Sequence, residues 1–185
     1  NPDNADIAAW FTSRGPEPIM NRWLTPHVAA PGVAIYAANS EYQPWREPED
    51  RTESPYTFMD GTSMSSPHVA GAMALITALK PEWTPAELQS ALMLTATTAM
   101  KQPDGVTDAD LFDMGSGRIQ VDMAAQTGLI MDETYDNYVD ANPIEGGDPK
   151  TLNIPSMGNV ACAGVCSWTR TFTATQDGDW TLSGM

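Results

Sequence analysis

Between residues 69 and 79 the apolar positions Val69, Ala70, Ala72, Met73, Leu75, Ile76 and Leu79 fall on nearly every face of a helical wheel. Such a pattern predicts a helix enclosed within a larger protein. Gly61 supplies backbone freedom just upstream, and Pro67 is tolerated because the first turn of a helix has amides without intrahelical partners. The helix is therefore expected to begin at or just after Ser63 and to end near Lys80-Pro81. A second start signal follows: Thr84-Pro85-Ala86-Glu87 is a capping box with proline at the first helical position. Leu88, Ala91, Leu92 and Thr95 keep the i, i+3, i+4, i+7 spacing, which predicts a half-exposed helix packing one face on the domain.

The flanking segments have a different texture. Up to Ala38, short apolar runs are punctuated by Gly15-Pro16, Pro18, Pro26 and Pro31-Gly32, as short strands of a mixed sheet are. From Asn39 to Thr57 the chain turns to Pro, Glu, Asp, Arg and Ser with Tyr42, Trp45 and Tyr56 interleaved, which reads as a loop: a solvated connection or the rim of a cleft. Asp104-Gly105, Asp108, Asp110 and Asp113 mark a surface loop whose spacing is not that of an EF-hand. Beyond Leu129 come an acidic stretch, Asp132-Glu133 to Asp140, and Gly146-Gly147-Asp148-Pro149. Residues 152–156 and 168–175 then look like strands, the second alternating with period 2 and rich in β-formers. The expected organisation is a first domain over residues 1–130, an acidic linker over 131–150, and the start of a β domain over 151–185.

Composition narrows the class. The net charge of −15 and pI near 4.1 argue for solubility and against nucleic acid or an anionic membrane surface as partner. No apolar run approaches the roughly 18–20 residues of a membrane helix. The start at Asn1, with no leader peptide before it, leads us to expect a processed or truncated product. Cys162 and Cys166 are the only cysteines and read as a small disulfide loop, which implies an oxidising compartment, or as two reduced core thiols. A metal site is disfavoured there, since no second ligand pair and no nearby histidine completes one.

The candidate chemistry lies in Gly61-Thr62-Ser63-Met64-Ser65-Ser66-Pro67-His68-Val69-Ala70-Gly71. A serine is placed where a chain bend meets the amino end of a helix, in a field that favours negative charge. A plain N-cap is the other reading. The hydrolase elbow Gly-x-Ser-x-Gly is disfavoured because Ser65 stands where its second glycine belongs.

The whole string closely resembles the nucleophile motif of the subtilisin-like serine peptidases, the subtilases. Phe11-Thr12-Ser13-Arg14-Gly15-Pro16 and Val28-Ala29-Ala30-Pro31-Gly32-Val33 resemble two elements that precede it in that family. Gly115-Ser116-Gly117-Arg118-Ile119 followed by Val121-Asp122-Met123-Ala124-Ala125 resembles the strand and helix that close the catalytic domain. The resemblance implies an α/β fold, a partial subtilisin-like three-layer domain with a mainly parallel sheet. A truncated β-sandwich-like segment, the start of a fibronectin-III-like domain, would follow it. It implies a secreted, extracellular serine endopeptidase that hydrolyses polypeptide substrates through an acyl-enzyme on Ser63. The Ser63 amide and the Thr62 hydroxyl would support the oxyanion, and Met64 would line the cleft. No cofactor is implied; calcium is compatible with the family, but no ligand set is visible.

Family order is Asp, His, Ser, and only residues 1–62 precede Ser63. The aspartate motif, the His-Gly-Thr-His motif and the oxyanion asparagine are thus absent from this chain. Its expected partner is the missing amino-terminal part of the same protein, and alone it should be inactive. His68 lies about 140° around the helix from Ser63, at roughly 100° per residue, and should face away from it. His27 stands where subtilases commonly carry aspartate. Asp60 replaces a common serine or asparagine and is positioned to disturb the hydrogen bonding around the serine. The alternative is a catalytically dead, peptide-binding or structural relative.

Overall fold

The computed structural model describes residues 5–16, 24–40, 42, 46–50, 54–158 and 162–184; Pro18, read above as punctuation between apolar runs, and Trp45, read as part of a loop, lie outside them. A hairpin leads into the principal helix. Strand β1 (Ile35–Ala38) pairs antiparallel with β2 (Tyr56–Met59), Ile35 opposite Met59 and Ala38 opposite Tyr56. The loop predicted to reach Thr57 therefore ends earlier. Tyr36 stacks against Tyr56 and Phe58, with ring centroids 5.6 and 4.8 Å away, and these cross-strand aromatic contacts hold the ladder together.

Helix α1 spans Thr62–Leu79, with Pro67 in its amino-terminal turns, as its sequence predicts. Helix α2 (Pro85–Leu94) carries the predicted capping box: the Glu87 amide donates to Thr84 Oγ1 at 3.1 Å and the Thr84 amide to Glu87 Oε2 at 2.8 Å. Two short helices follow, α3 (Leu111–Met114) and α4 (Val121–Ala125). Between them a strip of three chain segments crosses the domain. Ala29 lies parallel to Arg118, which lies antiparallel to Thr97, through Ala29 N–H to Gly117 O (2.8 Å), Ile119 N–H to Ala29 O (3.0 Å) and reciprocal Thr97–Arg118 bonds. A second parallel bridge joins Ile7 to Lys101. This is a partial α/β domain; among the described residues parallel pairing is confined to these bridges.

The core lies where α1, α2 and α4 meet the strip. Ala72, Ile76, Leu88, Ala91, Leu92, Ile119, Ala124 and Ile130 are buried together, with Val28, Val69 and Trp83 packed around them. A smaller cluster joins Met100, Ala109 and Met114. Helix α1 buries only Ala72 and Ile76; Leu75 and Leu79 are 64% and 66% exposed. The all-round apolar pattern predicted full enclosure, but within this chain α2 and α4 cover one side of the helix. The other side is an uncovered apolar surface.

Helix α2 departs from expectation in the opposite sense. It was read as half exposed, yet Ser90 and Met93 are buried together with Leu88, Ala91 and Leu92. The cover comes from residues after 128. Strand β3 (Leu129–Ile130) runs beside α2, and the Met131 amide donates to Ser90 Oγ at 2.8 Å while that hydroxyl donates to Glu87 O at 2.8 Å. The acidic stretch continues as helix α5 (Tyr135–Asp140), capped by Thr134, and as single 3-10 turns at Pro143–Glu145 and Pro149–Thr151. Met131, Ala141 and Leu152 are buried along it.

The two strands expected near the end are largely replaced. Only Thr173–Ala174 forms a strand, β4, antiparallel to β3. Residues 152–156 form none, because side chains take the place of a strand partner. Asn153 Oδ1 accepts the Thr171 amide at 2.8 Å and its Nδ2 donates to Thr171 O at 2.9 Å. The Arg170 guanidinium donates to the carbonyls of Lys150, Ile154 and Ser156.

Ser90→Ala removes the sole acceptor of the buried Met131 amide and should lower stability by about 1–3 kcal/mol, as a buried unsatisfied donor does. A fall in thermal midpoint with the secondary structure intact below it checks this; an unchanged midpoint contradicts it.

Candidate active site

The site is built from the end of the hairpin upward. Asp60 follows β2 directly, and Gly61 then adopts φ 154°, ψ 159°, a combination accessible essentially to glycine alone. That geometry turns the chain from strand into helix in a single residue. Three bonds fix the turn to the segment before β1. The Gly61 amide donates to Gly32 O at 2.8 Å, Ser65 Oγ donates to Ala30 O at 2.8 Å, and the Asp60 carboxylate accepts the Ala34 amide. The backbones approach so closely that a Cβ on Gly32 would sit 2.8 Å from Gly61 O.

Thr62 and Ser63 form the first turn of α1 and are exposed; Met64 is half-buried. No side chain caps the helix, and among the described residues neither the Ser63 amide nor its hydroxyl has a hydrogen-bond partner. An exposed hydroxyl and unpaired amides at a helix amino terminus can hold a developing anion next to a nucleophile. Met64 lies over the turn, its Sδ 3.5 Å from where a Cβ on Gly61 would be. An open hollow of about 1060 Å³ lies behind the turn, against Thr62, Ser65, Ser66 and Val69, and does not include Ser63.

Neither histidine pairs with Ser63. The His68 ring Nδ1 lies 2.8 Å from Met64 O, one helical turn back, where it donates in the Nδ1–H tautomer. His27 lies against α2, its Nδ1 3.1 Å from Gln89 Nε2, in a hollow shared with Met93, Tyr138, Ile154 and Ser156. The residue is exposed overall, yet desolvation of the ring against α2 pushes its pKa below the usual value. Asp60, expected to disturb the hydrogen bonds around the serine, is bound instead to Ala34.

The aspartates read as a surface loop are individually committed. Asp104 accepts from the Thr107 hydroxyl and from the amides of Val106 and Thr107, which holds its carboxyl below the usual range. Asp108 pairs with Lys101. Asp110 and Asp113 cap α3 reciprocally and both bind Arg14, whose hydrogen bond is the main cause of the lowered Asp110 pKa. Among the described residues no cluster of three or more His, Cys, Asp or Glu is placed to hold a metal. The Arg14 clamp was missed; its one sequence signal is Asp110-x-x-Asp113, a capping pattern at the start of a helix. Cys162 and Cys166 are joined by a disulfide, with Gly164 at φ 98° inside the loop.

The chain is similar in sequence to known proteins. The sequence profile of the subtilase family matches residues 2–117, and the chain belongs to that family. It is 37% identical over 158 residues to the subtilisin-like protease SBT4.3 of Arabidopsis thaliana, covering 83% of this chain and 21% of that one. Identity reaches 43% over 142 residues with SBT3.11 of the same plant, covering 72% and 18%. The solved structure of fervidolysin from Fervidobacterium pennivorans, a keratinolytic enzyme related to subtilisin, aligns at 28% identity and TM-score 0.41, covering 55% of this chain and 15% of that one. The chain spans about a fifth of the length of the curated relatives it matches.

Two outcomes follow. Gly61→Ala forces a side chain into a glycine-only conformation and should destabilise the turn by about 1–3 kcal/mol, read as a lowered unfolding midpoint. His27, with its folded pKa below the unfolded 6.5, contributes stability that is complete above pH 6.5 and lost as pH falls below it, because the unfolded state takes up the proton first. A plot of unfolding midpoint against pH should therefore slope down from 7 to 5 and flatten there in His27→Gln; equal slopes contradict the assignment.

Proposed function

We propose that the intact protein is a serine endopeptidase in which Ser63 is the acyl-forming nucleophile. The observation that supports this most is the placement of an exposed, unpartnered Ser63 at the amino end of α1, on a turn only glycine can make, within a subtilase sequence. In this reading Ser63 Oγ attacks the scissile carbonyl and its proton passes to a histidine base held by the amino-terminal part of the same protein. The Ser63 amide donates to the tetrahedral oxyanion, with the Thr62 hydroxyl in support. The base then protonates the leaving amine, the acyl-enzyme forms, and water releases the second product. Met64 borders the leaving-group side, where oxidation to the sulfoxide would crowd the cleft.

The substrates are polypeptides, and the reaction calls for no cofactor. His27 and His68 are engaged elsewhere, so the 185-residue chain alone should be near background. In subtilisin, loss of the base costs about a million-fold. The disulfide between Cys162 and Cys166 fits a secreted, extracellular protein. The exposed apolar side of α1 fits burial against the amino-terminal part. In the same reading residues 1–130 close the catalytic domain, 131–150 connect, and 151–185 open a fibronectin-III-like β domain.

A fluorophosphonate probe applied to the intact protein and to the 185-residue chain, followed by peptide mapping, tests the proposal. Labelling of Ser63 in the intact protein alone, abolished in Ser63→Ala, is the expected result. A folded, mature protein that does not label would instead be a dead, peptide-binding relative.

A further inference from the structure

The β1–β2 ladder ends at the pair Ile35 and Met59, and the next residues on each side do not continue it. Ala34 is held at φ 52°, a left-handed conformation uncommon for a residue with a Cβ. Its amide consequently has no opposing carbonyl and is taken by the Asp60 carboxylate. Two residues earlier on that segment, Gly32 O takes the Gly61 amide, and two residues earlier still, Ala30 O takes the Ser65 hydroxyl. Residues 30–34 thus touch the turn before Ser63, the turn itself and the first turn of α1. Asp60 supplies the one side-chain bond on the strand side of this pin, three residues from Ser63.

The geometry points to Asp60 as a positioning residue for the Ser63 reaction. Its carboxylate closes the hairpin where the backbone ladder fails, and so sets the angle at which Gly61 delivers Ser63 to the substrate carbonyl. The inference rests on the reading of Ser63 as nucleophile given above. Asp60 contacts no reacting atom; it acts through the 30–34 segment and Gly61. What matters chemically is the acceptor oxygen, not the charge, because the partner is a neutral amide. A fixed negative charge so near a developing oxyanion has no favourable role of its own. Asn in place of Asp60 retains an oxygen at the same distance along the side chain, whereas Ala removes it and Glu moves it by one methylene.

The test is the rate of Ser63 phosphonylation in the intact protein, measured against probe concentration so that the maximal rate and the half-saturating concentration separate. Displacement of a reacting group by a fraction of an ångström to one ångström costs up to about a hundredfold. Asp60→Ala should therefore lose about ten- to a hundredfold in maximal rate at an unchanged half-saturating concentration. Asp60→Asn should restore at least the wild-type rate. If Asp60→Ala fails to fold, Asp60→Glu carries the same expectation of a slowed maximal rate. Wild-type rates in folded Asp60→Ala or Asp60→Glu, or an Asp60→Asn rate as low as that of Ala, overturn the inference while leaving Ser63 as nucleophile. A folded wild-type protein that does not label removes the reading and the inference together.

Discussion

The backbone of Gly61 is the constraint around which this chain is arranged. Its φ of 154° and ψ of 159° let a strand become a helix within one residue, and no other amino acid takes that geometry without strain. Everything adjacent follows from the turn. Strand β2 can run up to it, α1 can start beyond it with free amides at its amino end, and Ser63 is carried on the outer edge of the first turn. A turn of this kind is costly to hold unless its surroundings over-determine it, and residues 30–34 do so through bonds from Gly61, Ser65 and Ala34. The segment that resembles the Ala-Pro-Gly element of subtilases is therefore the wall against which the turn before Ser63 is built. The two motifs lie far apart in sequence and form one structural unit.

The carboxy-terminal residues show how side chains substitute for backbone pairing when strands are too short to form a ladder. Ser90, Asn153 and Arg170 satisfy amides and carbonyls that a sheet would otherwise satisfy. They bring the chain after residue 128 onto α2 and bury Met131 and Leu152. The result is a cover for α2, while α1 keeps an open apolar side. Helix α2 is enclosed, and the helix that carries Ser63 is enclosed on one side only.

Much of this was legible from residue types. The capping box at Thr84 and Glu87, the start of α1 at the Gly-Thr-Ser step and the bond between Cys162 and Cys166 each depend on residues within four positions of one another, so local chemistry sufficed. The family followed from motif strings in order. What was not legible depended on partners distant in sequence. The exposure of Leu75 and Leu79 reflects which elements are present to cover them, which periodicity does not reveal. Residues 168–175 have strand propensity, but only two enter a ladder, and propensity describes fitness for a pleated surface without supplying one. Asp60 is visible in the sequence as a departure from the family, but its bond to Ala34 is not, because Ala34 lies across the hairpin and its left-handed φ is announced by no residue type.

If the turn is the fixed platform described here, its backbone bonds should open only with the domain core. Hydrogen exchange at the Gly61 amide of the intact protein measures this directly, because that amide is bound to Gly32 O and lies outside the regular hydrogen bonding of both β2 and α1. Protection comparable to that of the amides in the interior of α2 is the predicted result. Exchange at the rate of an unprotected loop would show a turn that is not held, and would contradict the account.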